Sequence, residues 1–306
     1  MALPYRWQWR VEKWKTAMRG FFGGGEQQQP RPKICPACGA LVGIKATRCH
    51  ECGASLRFSL AALSKGLSGF FGGHAPVTTV LLVVNILMFG VSLVATMQAS
   101  EAGGLNILWS MNSDILDRLG ASHAAAIFFP HQWYRLVTAM FLHLGLIHIG
   151  MNMMVLLDVG PVLEDLYGSS RYLFLYATTG FLGFLLSAFL GNNAVGASGA
   201  LMGLIGAMIA VTTKRGGGQM KELRSRLITW VVMIFLIGRF VHADNYAHFG
   251  GLASGFAIGK LFADREPMNA AERKRAYALG WLAGIVVLAS FVMMILHFRD
   301  PLPGRG

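Results

Sequence analysis

Long apolar segments recur from Pro76 almost to the end of the chain, and they constrain its fold more than any other feature. About seven such segments are present, against a requirement of roughly 20 apolar residues for a helix that crosses a bilayer. They lie near residues 76–97, 143–163, 171–191, 197–213, 226–242, 246–263 and 277–297. Only 14% of the chain is charged, well below soluble domains at about a quarter. The sequence therefore predicts an all-α, multi-pass membrane protein.

Basic residues exceed acidic ones, which gives a formal net charge of +12 at pH 7. Nucleic acid or an anionic membrane face would each suit such a charge. The excess lies in the N-terminal arm and in the connections 214–226 and 260–275, as the positive-inside rule requires. We therefore expect the lipid bilayer, and not nucleic acid, as a partner. We expect a plasma (inner) membrane protein, and the same rule predicts that its N-terminus lies in the cytoplasm and its C-terminus outside.

All four cysteines lie in one short segment, as two Cys-x-x-Cys pairs that are each followed by glycine: Cys35, Cys38, Cys49 and Cys52. Two such pairs can form a tetrahedral site for structural zinc. Disulfides or redox-active dithiols are the alternative, but they suit an oxidising compartment and the basic flanks favour the cytoplasm. The sequence predicts a small cytoplasmic zinc ribbon that either docks a cytoplasmic protein or acts as a folded spacer.

These features divide the chain into five parts. We predict an arm and linker at 1–30, the ribbon at 31–56, a linker at 57–75, the membrane domain at 76–297 and a tail at 298–306. Residues 98–142 are too polar in places to cross a membrane, so we expect them to be partly helical and to lie at the interface.

Four polar residues fall at similar depth in three apolar segments. His148 and Asn152 lie early in the second segment, Ser198 begins the fourth, and His248 lies near the start of the sixth. Alternate segments run in the same direction, so all four residues are predicted near the outer end of the bundle. Polar and ionisable groups at membrane depth indicate a functional site.

Glycines in the fourth and sixth segments favour close packing of these two helices, because small residues four apart let helix backbones approach in lipid. They are Gly199, Gly203, Gly206, Gly250, Gly251, Gly255 and Gly259. Such packing would bring Ser198 to His248, where imidazole can take the proton of a serine nucleophile. The N–H groups at the helix start, with Asn152 and His148, could then stabilise an oxyanion.

The chain resembles the rhomboid intramembrane serine proteases over roughly residues 76–297. The Gly196–Gly199 run resembles their Gly-x-Ser-Gly nucleophile motif, and the 247–251 run, Ala-His-Phe-Gly-Gly, resembles their histidine motif. His143, His148 and Asn152 resemble a His-x-x-x-x-His-x-x-x-Asn pattern whose last two members complete the oxyanion hole.

Two further patterns carry the resemblance. Trp133 and Arg135 resemble a Trp-Arg motif, with a tyrosine inserted here. A structural pattern of the third span is matched by Glu164, Gly168, Arg171, Tyr176 and Gly180. The resemblance implies a six-helix core, with the seventh segment a C-terminal addition, and a Ser-His dyad that uses no third acid and no catalytic cofactor.

Three functions compete on these grounds. The first is an endopeptidase that cuts the transmembrane segments of membrane-anchored proteins. The second is a non-catalytic rhomboid-like protein that binds or retains transmembrane clients, and an intact Ser198 and His248 argue against it. The third is a transporter, which is disfavoured because the polar residues cluster at one end and no inverted repeat is evident.

Overall fold

The computed structural model describes residues 33–34, 41–42, 75–99, 110–240 and 243–300. The chain divides into two compact units, Met1–Phe70 and Phe71–Gly306. In the first unit, strand β1 (Lys33–Ile34) pairs antiparallel with β2 (Leu41–Val42). Residues 35–40 between these strands contain the first Cys-x-x-Cys pair. All four cysteines lie outside the described residues, so the zinc ribbon stays a prediction.

Each predicted membrane segment is a helix in the second unit. The seven long helices are α1 (Pro76–Ala99), α5 (Leu146–Tyr167), α6 (Ser169–Phe189), α7 (Ser198–Arg215), α8 (Gly218–Phe240), α9 (Asn245–Leu261) and α10 (Ala270–Leu296). Among the described helices, α1, α5, α6 and α10 are long and apolar enough to cross a membrane by length and composition alone. The predicted all-α membrane fold is confirmed.

Helices α7 and α9 form the most extensive contact between the described elements, although they are the shortest of these seven helices. A Cβ placed on Gly251 would overlap the carbonyl of Gly199, and one on Gly255 would overlap the carbonyl of Gly203. The two backbones therefore touch directly, as the glycine spacing predicts. This close approach places the first turns of α7 and α9 side by side.

The connection before α5 contains short helices, α2 (Ser113–Arg118), α3 (Ala124–Phe128) and α4 (Arg135–Thr138), and a 3₁₀ turn at Ala139–Phe141. Its partly helical character is confirmed. Residues 134–142 are buried throughout, and the interfacial position expected for the connection stays a prediction. The segment can be buried because carbonyls satisfy its one charge: Arg135 donates to the backbone oxygens of Asp117 and Ala121.

Glu164 links α5 to the start of α1. Its carboxylate accepts the backbone N–H groups of Val77 and Thr78 at 2.9 and 2.8 Å, together with two hydroxyl groups, so it caps α1 in place of a local side chain. The prediction that Glu164 and Gly168 belong to the third span is wrong. Glu164 lies in the last turn of α5, and Gly168, with φ +78°, forms the turn between α5 and α6.

The basic connections gather at the end of the bundle where α7 and α9 finish. Arg215 at the end of α7 forms a 2.8 Å ion pair with Asp264, which follows α9. The hydrogen bond from Arg215 lowers the pKa of the Asp264 carboxyl. Ser198 begins α7, so the basic connections and the candidate nucleophile lie at opposite ends of that helix.

Candidate active site

Ser198 is the first residue of α7 and is partly exposed. The first N–H groups of a helix have no intrahelical acceptor, and the positive end of the helix dipole lies at the same place. Free backbone N–H groups therefore lie beside the Ser198 hydroxyl, where they can donate to a negatively charged oxygen. The prediction that Ser198 opens a helix is confirmed.

His248 lies in the first turn of α9, and only 5% of its surface is exposed. Its Nε2 atom lies 2.8 Å from Oγ of Ser198, which is a hydrogen-bonding distance. The glycine contacts between α7 and α9 determine this separation. The structure thus brings together the two residues that the sequence selects as nucleophile and base.

The other ring nitrogen of His248 has no hydrogen-bond partner within the part of the chain that the structure describes. Asp244, one turn earlier, is already engaged. One of its carboxylate oxygens accepts the N–H groups of Tyr246 and Ala247, both at 3.1 Å, and the other accepts the hydroxyl of Ser187. Asp244 therefore caps α9 and, within the described residues, forms no hydrogen bond to the imidazole.

His148 lies beside the backbone that precedes Ser198. A Cβ placed on Gly196 would lie 2.8 Å from Cε1 of His148 and 3.6 Å from Oγ of Ser198. Nδ1 of His148 accepts the N–H of Leu144 at 3.3 Å, so a neutral ring carries its proton on Nε2. That N–H is a donor on the Gly196 side of the ring.

Asn152 lies one turn after His148 and is almost fully buried. Its amide nitrogen donates to the carbonyl oxygen of His148 at 2.9 Å, which uses one of its two N–H groups. No hydrogen bond joins Asn152 to Ser198 within the described residues. His143 packs its ring against His148, with the ring centroids 5.1 Å apart, and is fully buried.

Comparison with known proteins identifies the family of this chain. A rhomboid-domain family model matches residues 130–265. RHOMBOID-like protein 1 of Arabidopsis thaliana is 36% identical over 56% of this chain and 46% of its own length. RHOMBOID-like protein 6, mitochondrial, of the same plant is 33% identical over 62% of this chain and 68% of its own length. The chain belongs to the rhomboid family.

Named proteases of the family are also similar to it. Rhomboid protease GluP of Bacillus subtilis (strain 168) is 31% identical over 61% of this chain and 35% of its own length. The chain thus spans about half of the first relative, two thirds of the second and a third of GluP.

Arg135, which matches the arginine of the Trp-Arg motif, helps to position the loop before Ser198. Arg135, only 4% exposed, fixes the turn that leads into residues 139–142. The carbonyl of Ala139 in that turn accepts the N–H of Gly196 at 2.9 Å. A second attachment joins Ser122 and Ala194, which exchange backbone hydrogen bonds. Backbone hydrogen bonds therefore fix the loop before Ser198 at two points.

Two residues near Ser198 and His248 were not predicted from the sequence. Ser187, late in α6, bonds to Asp244, and its depth could have been matched with the start of α9. Phe235 of α8 places its ring edge-on to His248, with centroids 6.1 Å apart. The part of α8 around Phe235 is apolar on all sides. The sequence therefore does not distinguish Phe235 from the apolar residues next to it.

The described residues contain no group of three or more His, Cys, Asp or Glu side chains arranged to hold a metal. The expectation that catalysis needs no cofactor stays a prediction.

Proposed function

We propose that this rhomboid protein is a serine endopeptidase that cleaves the transmembrane segments of membrane-anchored proteins. The single observation that supports it most is the 2.8 Å separation of Ser198 Oγ and His248 Nε2 at the start of a buried helix. A serine hydroxyl is a weak nucleophile until a base takes its proton, and a neutral imidazole within hydrogen-bonding distance is such a base.

The chemistry follows from the positions of the two side chains. His248 takes the Ser198 proton on Nε2 as Oγ attacks the scissile carbonyl carbon, which gives a tetrahedral oxyanion. The imidazolium then protonates the leaving amine, the C–N bond breaks and an acyl-enzyme remains. Water, deprotonated by His248, attacks that ester, and the departing Ser198 oxygen recovers its proton from the imidazolium.

Three donors are proposed for the oxyanion. They are the N–H at the start of α7, the Nε2 proton of His148 and the second amide N–H of Asn152. Oxyanion stabilisation is commonly the largest electrostatic contribution to such reactions. Gly196 lets the His148 ring approach this space, since any larger residue there would contact the ring.

We further propose that the site lies near the outer face of a plasma (inner) membrane, with the N-terminus in the cytoplasm and the C-terminus outside. The basic connections after α7 and α9 support this orientation, because Lys and Arg are enriched on the cytoplasmic side. Transmembrane proteins whose cleavable segment reaches that depth are then the proposed substrates, and a cytoplasmic protein is the proposed partner of the ribbon.

A reporter with one transmembrane segment tests the proposal. Wild-type protein should release the reporter ectodomain, and Ser198→Ala at equal expression should release none. A matched control is Ser254→Ala, which removes a hydroxyl that bonds only to carbonyls of its own helix. Release by Ser198→Ala at the wild-type rate would contradict the proposed chemistry, and a folded wild-type protein that releases no ectodomain would favour a client-binding protein.

A further inference from the structure

The seventh helix, α10, contacts two different parts of the bundle. Near its middle it packs closely on α6, where a Cβ on Gly280 would lie 2.8 Å from Cβ of Ser170. Near its C-terminal end it contacts the buried connection before α5. There Phe291 lies against Phe141, with ring centroids 5.2 Å apart, and His297 lies over Tyr134 at 5.4 Å.

Further contacts extend along the last two turns of α10. Met294 is buried, and its Cγ lies 3.5 Å from the position that a Cβ on Gly120 would occupy. The guanidinium of Arg118 donates to the carbonyl oxygen of Phe298 at 3.4 Å. The end of α10 therefore contacts both α2 and the buried segment 134–142.

The same segment holds the loop before Ser198 from its other side. Ala139, two residues from Phe141 in one 3₁₀ turn, accepts the N–H of Gly196. The ring of Phe141 packs against two others, Phe291 on α10 and Tyr176 on α6. Removing the Phe291 ring would leave Phe141 without its contact on one side, and the turn that bonds Gly196 would lose support there.

We propose that Phe291 of α10 is a positioning residue for the active site, acting through Phe141 and the Ala139 carbonyl on the backbone of Gly196. The added helix then stabilises the loop that aligns His148 with Ser198. The kinetic consequence rests on the proposed protease function, whereas the effect on the loop does not.

Amide hydrogen exchange on the full-length chain in lipid nanodiscs tests the effect on the loop. Phe291→Ala should accelerate exchange in peptides covering residues 191–197 while leaving α7 and α9 unchanged. Phe291→Leu, which refills much of the space, should restore slow exchange. Leu288→Ala is the matched control, because Leu288 lies one turn earlier on α10 and is 67% exposed.

Kinetics on a transmembrane reporter give the second readout. Misplacing a group in an active site by about 1 Å can cost 10²-fold, so Phe291→Ala should lower kcat by roughly tenfold or more with KM little changed. If Phe291→Ala does not fold, His297→Ala, which removes the ring over Tyr134, should give the same localised increase in exchange.

Unchanged exchange at 191–197 in a folded Phe291→Ala variant would overturn the proposal. Faster exchange spread evenly over α7 and α9 would overturn it too, since that indicates a general loss of stability. A folded wild-type chain that cleaves nothing would instead count against the protease function, and the exchange measurement would still decide the role of Phe291.

Discussion

The hydroxyl of Ser187 donates to the carboxylate of Asp244, and this bond ties the end of α6 to the first residue before α9. The second carboxylate oxygen of Asp244 caps α9 through Tyr246 and Ala247. His248 lies in the helical turn that follows, so the bond from Ser187 fixes the start of the helix that carries the candidate base.

Ser187→Ala should lower turnover without abolishing it. The substitution removes the tie between α6 and α9 but leaves the cap itself, whereas Asp244→Ala loses both and should also cost about 1 kcal/mol of stability. Reporter turnover and thermal unfolding of the purified variants provide the measurement. Wild-type turnover in both variants would show that the start of α9 needs neither group.

Turnover should fall as the pH is lowered. A protonated His248 cannot accept the Ser198 proton, so activity rises with pH along the acid limb and levels off once the ring is neutral. His248→Ala should lower turnover by about 10²–10⁴-fold, the usual contribution of general acid–base catalysis. The activity that remains should no longer show the acid limb. His131→Asn, at an exposed histidine with φ 58°, is the control and should keep the wild-type profile.

Gly196→Ala should lower kcat by roughly 10²-fold or more if it displaces the His148 donor, as losing one oxyanion donor commonly does. Gly196 has φ +132°, a backbone conformation that residues other than glycine rarely adopt. The new methyl group would also contact the His148 ring. Gly150→Ala on α5 is the matched control, because beyond its chain neighbours and the backbone of its own helix no atom lies within 4 Å of the added Cβ. Equal turnover in the two variants would remove His148 from the proposed oxyanion site.

The ribbon should bind about one zinc per chain if Cys35, Cys38, Cys49 and Cys52 form a single tetrahedral site. Metal analysis of purified full-length protein measures the amount of zinc per chain. Changing Cys35 and Cys38 to serine should abolish zinc binding. Cleavage of a short model substrate should survive that change, because the proposed chemistry uses no metal. Loss of cleavage in a still-folded double variant would make the ribbon part of the catalytic machinery.

Sequence reasoning located the long helices and the Ser198–His248 pair for a physical reason. Glycines at a spacing of four on α7 and α9 predict which faces of these two helices touch. Alternate membrane segments run in the same direction, which predicts the depth of each polar residue.

The buried connection before α5 shows where such reasoning ends. The burial of residues 134–142 was not predicted, because it depends on hydrogen bonds from Arg135 to the carbonyls of Asp117 and Ala121, which lie elsewhere in the chain. The bond between Ser187 and Asp244 and the contact of Phe291 with Phe141 likewise depend on how separate elements pack, which no local pattern encodes.

Covalent labelling with a fluorophosphonate, followed by peptide mapping, tests the Ser198–His248 dyad most directly. An activated serine attacks the phosphorus and releases fluoride, so wild-type protein should carry the label on Ser198. Ser198→Ala should take no label, and His248→Ala should react far more slowly, while Ser254→Ala should match the wild type. A folded wild-type protein that takes no label, or takes it on another serine, would contradict the assignment of Ser198 as the nucleophile.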